Sequence, residues 1–170
     1  MYQFPVTSAM ARFATPICVA VGAALALVFV SFGAAAASGS ETGTWIDDTG
    51  KGAIEISPCG KKLCGRIVWL QETRDPKGKP LIDNLNPAAD KRNQPICGLQ
   101  VLGALERQAE GGYDSGWVYD PKVGQSYDVA IGLKDANHLV VTGYQGIKMF
   151  GKKFVWTRAP AEQPLARCAP

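Results

Sequence analysis

The side chains with the most chemistry to offer lie in one polar stretch. Residues 72–95 read ETRDPKGKPLIDNLNPAADKRNQP, and Asp83, Asn84, Asn86 and Asp90 offer the oxygen atoms that calcium takes. Their spacing does not follow the alternating ligand positions of a known calcium loop. Asp and Asn near Pro also form turns through side-chain bonds to backbone, and that is the favoured reading. Arg74, Lys77, Lys79, Lys91 and Arg92 make the stretch locally basic, which suits an acidic partner or simply a solvated face. Tyr119-Asp120-Pro121 reads similarly: the Asp and Pro shape a hairpin, and Tyr119 is expected to pack. Nucleophilic catalysis lacks its parts. His138 is the single histidine and sits beside Asn137 in a turn. There is no Gly-x-Ser-x-Gly elbow, no redox Cys-x-x-Cys pair, and no glycine-rich segment leading into a helix start, which phosphate cradling needs. No catalytic residue, metal or cofactor is assigned, and a non-enzymatic role is expected.

Four cysteines follow the N-terminal apolar run: Cys59, Cys64, Cys97 and Cys168. An even number in an exported chain favours disulfides over metal ligation. Three pairings are formally possible. Cys59 and Cys64 flank GKKL, a plausible turn, so the expected bridges are Cys59–Cys64 across one hairpin and Cys97–Cys168 from the middle to the end. Loop entropy assigns about 2 kcal/mol to the short bridge and about 4 to the long one.

Aromatic residues are the remaining set with a chemical use. Trp69, Trp117, Tyr127, Tyr144, Phe154 and Trp156 all fall on predicted strands. Trp69, Tyr127, Tyr144 and Trp156 are expected to line a pocket for a small, mainly apolar ligand, with residues 72–95 over its mouth. Each Å² of apolar ligand surface buried there contributes about 25 cal/mol. An eight-stranded barrel is just wide enough either to be filled by side chains or to hold one small ligand. Bulky aromatics argue for filling, while Gly65, Gly103, Gly116, Gly132 and Gly143 leave space or bend strands.

The elements that must position these groups are strands. AIEIS alternates apolar and polar residues, as a half-buried strand does. LCGRIVWLQ puts Leu63, Ile67 and Trp69 on one face and Arg66 on the other; by the same parity Cys59 and Cys64 both point outward. GTWID, GLQVLGALER, GYDSGWVYD, SYDVAIGLK, HLVVTGYQG and KKFVWTR complete eight strands. Turn signals separate them at the 8–12-residue spacing typical of all-β folds. Short hairpins predict an antiparallel up-and-down meander, and closing it into a barrel removes both unpaired edges.

Residues 1–37 are read as a cleaved signal peptide: Arg12, an apolar core from about residue 13 to 33, then small residues at a cut near Ala37. An uncleaved membrane anchor is the competing reading, since the stretch is long enough to span a bilayer. Residues 38–170 are then one domain, large enough for one core, with a periplasmic or secreted location. The whole chain carries a formal charge of +3, nearly balanced, with no basic run, so the electrostatic footprint of nucleic-acid binding is absent.

Gly43-x-Trp45 on the first strand and Arg158 ending the last resemble the signature of lipocalins and related calycin barrels. The resemblance implies that Trp45 plugs one end of the barrel while Arg158 packs over its ring and bonds nearby backbone, with Gly43 leaving room for a neighbouring segment. A guanidinium suits that task because it covers a ring face while its fork reaches carbonyls. GTW, CGKKLCGRIVWL, DNLNP, GWVYDPKVGQSY, LVVTGY and FVWTR, in that order, are similar to the exported bacterial family called domain of unknown function 2147. That likeness implies a small lipocalin-like barrel of the cell envelope and carries no catalytic assignment. The expectation is therefore an exported barrel holding a small apolar molecule. Its alternative is an envelope interaction protein with a filled barrel, contacting a protein or cell-wall partner through residues 72–95.

Overall fold

The alternation seen in the sequence becomes eight antiparallel strands: β1 (Gly43–Ile46), β2 (Gly52–Cys59), β3 (Lys62–Leu70), β4 (Gln100–Arg107), β5 (Tyr113–Asp120), β6 (Gln125–Asp135), β7 (His138–Tyr144) and β8 (Lys152–Arg158). They belong to a computed structural model that describes residues 39–160 and Cys168. The expected signal segment, residues 1–37, lies outside the described residues. Each strand pairs with the next, and β1 pairs with β8 through Trp45↔Arg158 and Ile46↔Thr157, so the sheet closes on itself. Closure satisfies the backbone groups that an open edge would leave unpaired. The described residues include two short 3-10 turns and no α-helix.

The core fills the base and middle of the barrel. Trp45, Ile54, Ile56, Leu63, Ile67, Leu102, Leu105, Val129, Ile131, Leu139, Val141 and Trp156 form one buried cluster. Interior glycines are where the larger side chains lodge. A Cβ at Gly65 would stand 2.8 Å from Leu102 Cδ1, and one at Gly116 would stand 2.6 Å from Leu105 Cγ. These two glycines leave no free volume, because core leucines occupy it. Gly143, toward the other end, faces open space.

Five register shifts interrupt the strand pairing and reset which way side chains point. One, between Ala53 and Ile54, makes Trp69 the partner of Ala53 and Leu70 the partner of Gly52. A bulge adds one residue to one strand and flips the alternation beyond it. Others lie on β4 and β5, where Ala104 and Ser115 take φ of 57° and 58°. Both disulfides expected from spacing are bonded: Cys59–Cys64 at the tip of the β2–β3 hairpin and Cys97–Cys168 at the end of the long connection. The Cys168 N–H also donates to Val68 O, at 2.7 Å. Cys168 is thereby fixed beside β3.

Candidate functional site

The base of the barrel is built by the two ends of the strand series. Trp45 is fully buried, and its Nε1–H donates to Glu41 O at 2.9 Å. Arg158 lies with its guanidinium carbon 4.0 Å from the centre of that ring. Its three nitrogens donate to Ala136 O, Thr42 O and Ser40 O at 2.7, 3.2 and 2.7 Å. Gly43 sits at φ +118°, and a Cβ there would come within 2.9 Å of Arg158 Nη1. Its lack of a side chain thus serves both the backbone conformation and the cation's position.

The four aromatics expected to line a lumen do not converge. Trp156 belongs to the core cluster toward the base. Tyr127, cross-strand from Val118, is half-buried nearer the opposite end, and its hydroxyl donates to Gln125 Oε1 at 2.8 Å. Trp69 lies past the bulge, on the outward face with Ala53, and Leu70 takes the inward place. Tyr144 also faces outward, because Leu139 and Val141 hold the inward parity of β7. Its hydroxyl donates to Asp114 Oδ1 at 2.7 Å, and Lys148 Nζ donates to the other oxygen of that carboxylate. Burial, and then the Asp114 carboxylate, push the Tyr144 hydroxyl up to about 12. Burial works against the Asp114 carboxylate, yet hydrogen bonds from Lys148 and Tyr144 outweigh it and hold its pKa below the usual value.

The long connection departs from its expected position as well. It lies against the outer wall of β3–β5 instead of capping a mouth, and the reason is parity on β5. Val118 faces Leu102 in the core, so Trp117 and Tyr119 face out, and the loop covers Tyr119. Asp83, fully buried, accepts from the Tyr119 hydroxyl at 2.7 Å, from Asn86 Nδ2 at 2.6 Å and from Gln94 Nε2 at 3.2 Å. Three donors are what a buried carboxylate requires, since an unmatched one is strongly disfavoured. Asn86 Oδ1 accepts from Ala88 N, the turn role expected of it, and Arg92 Nε holds Asn86 O. Burial, and then Asp83, raise the Tyr119 pKa to about 12.

Between this loop and the wall runs a half-open groove of about 1170 Å³. Arg66, Gln100, Trp117, Tyr119 and Leu99 form its floor, and Arg74, Leu81, Lys91 and three prolines its loop side. Sequence reasoning left Trp117 and Tyr119 out of the site, although two aromatics at i and i+2 on one strand are the available signal for a shared face. His138, by contrast, takes up a turn position: its Nδ1 lies 2.8 Å from Asp135 Oδ1. Among the described residues, no three metal-ligating side chains gather.

A family model described as "Uncharacterized protein conserved in bacteria (DUF2147)" matches residues 43–158. The fold is similar to a solved structure described as "Protein HP1028 from the human pathogen Helicobacter pylori belongs to the lipocalin family". Identity is 23%, the TM-score is 0.63, and the match covers 74% of this chain and 86% of that one. No curated protein matches the chain.

Proposed function

The chain belongs to the DUF2147 family, and from that footing and its lipocalin-like barrel we propose that it is an exported, non-enzymatic protein that binds a small, mainly apolar molecule. Its two disulfides suit an oxidising compartment outside the cytoplasm. The ligand rests in the groove between the long loop and the outer wall. One observation carries this reading. The base and middle of the lumen are taken up by the core cluster, with Trp45 and Trp156 among its members, whereas the groove is a formed concavity whose loop is fastened to the wall by the buried Asp83–Tyr119 bond. Concave, largely apolar and pre-formed sites are where small ligands bind.

Native mass spectrometry of protein purified from its own envelope tests the reading. The expected result is an adduct of small-molecule mass, together with a ligand-dependent tryptophan quench that disappears in Trp117→Phe. A clean apo mass, with no quench by apolar probes, defeats small-molecule binding and leaves contact with a macromolecule through the loop. A quench that persists in Trp117→Phe moves the ligand back into the lumen.

A further inference from the structure

We infer that the groove selects a small aromatic acid, with a flat ring on Trp117 and its anionic group toward Arg66, Arg74 and Lys91. This deepens the proposed function and rests on the groove being a binding site.

The charge of the groove is one-sided. Arg66, Arg74 and Lys91 line it, and among the described residues no Asp or Glu does. Glu72, Asp75 and Asp90 belong to the same loop but not to its groove side, and Glu55, the cross-strand partner of Arg66, lies outside the lining too. Asp83, on the same loop, is fully buried, with its oxygens engaged by Tyr119, Asn86 and Gln94, three residues of the lining. The two arginines are held by neutral acceptors. Arg66 reaches Gly98 O and Gln100 Oε1 at 3.3 and 3.4 Å, and Arg74 donates to Gly78 O at 2.8 Å. Guanidinium groups already oriented by neutral partners keep further N–H donors for a carboxylate, sulfonate or phosphate. A chain close to neutral overall has no general reason to exclude carboxylates from this one surface.

The ring half of the inference comes from Gly103. A Cβ there would stand 2.5 Å from Cε2 and Cζ2 of Trp117, the residue directly across on β5. The indole therefore lies flat on the β4 backbone and is still 37% exposed, so its other face is open to the groove. Pro80, Pro87 and Pro95 line the same space. An open indole face bounded by proline rings suits a flat ring better than a flexible chain, because offset stacking rewards planarity.

Calorimetric titration of 2-naphthoate against its neutral counterpart 2-naphthamide tests the inference on the oxidised protein. The naphthoate is expected to bind about tenfold tighter, the scale of one or two charge-assisted contacts. That advantage is expected to vanish in the triple variant Arg66→Gln/Arg74→Gln/Lys91→Gln, with the amide unaffected. All three positions are exposed, and a thermal melt verifies that the variant is folded. Trp117→Leu should weaken both compounds alike. Equal affinities in the unaltered protein overturn the acid preference while leaving the groove as a site. A preference that survives the triple variant overturns the assignment to these cations, and affinities unchanged in Trp117→Leu overturn the ring position. Failure of both compounds to bind overturns the aromatic-acid class; the adduct mass and the Trp117→Phe quench then report separately on the groove.

Discussion

Arg158 and Asp83 each tie together parts of the chain that are remote in sequence, one at the base of the barrel and the other against its wall. At the base the buried group is an indole, and the charge covers it from outside, bonded to three carbonyls. At the wall the charge itself is buried, with three side-chain donors gathered around it. An apolar plug is held by volume and degrades with the volume removed. A buried carboxylate is held by completeness, and one missing donor or acceptor leaves the rest without a partner. The base is therefore suited to permanent closure, and the loop anchor to holding a wall whose position a single bond controls.

The comparison can be broken at either place. Trp45→Ala should have the largest effect, costing about 3–5 kcal/mol in chemical denaturation, and it should lower the unfolding midpoint of the whole barrel. A loss within about half a kcal/mol would be that of an exposed position and would remove the plug. Asp83→Ala should cost about 3 kcal/mol, because the Tyr119 hydroxyl is left without an acceptor. Its signature differs: hydrogen exchange and proteolysis should rise in residues 72–95 ahead of the strands. Uniform loosening of the barrel would mean the anchor is not local.

Alkali sharpens the same contrast. The folded-state pKa of Tyr119 stands at about 12, above the ordinary tyrosine value. The stability it contributes is therefore complete below pH 10 and lost as pH climbs from about 10 to 12, up to about 2–3 kcal/mol. Tyr144 is raised to a similar value and loses stability in the same window, so the Tyr119→Phe variant isolates the loop's share. Retention of the full alkaline loss in that variant would transfer the effect to Tyr144. Smallest is Gly43→Ala, at about 1–2 kcal/mol, from a left-handed backbone position and displacement of the guanidinium. Arg158→Lys combined with it separates the two causes, since only the backbone part should remain.

The two regions were unequally legible in the residues. Gly43, Trp45 and Arg158 stand at opposite ends of a strand series whose closure alternation and short turns already require, so their meeting follows from topology. Asp83 reads as a turn former, because nothing within its own segment tells it apart from Asn84 or Asp90. Its partner, Tyr119, lies 36 residues away, and their contact depends on which face β5 turns to the loop. Trp69 and Tyr144 illustrate a related difficulty. Trp69 sits beyond a bulge that reverses its face, and Tyr144 has the parity opposite to Leu139 and Val141.

Alternating hydrophobicity and turn residues by themselves determined an eight-stranded antiparallel barrel, because those signals are local and each segment carries its own. Tertiary structure alone decided which space is filled and which is open. Leu102 and Leu105 entering the room left by Gly65 and Gly116, and the loop settling on the wall, are outcomes of packing between strands. A one-residue bulge is enough to move a side chain from the core to the surface, and composition does not record it.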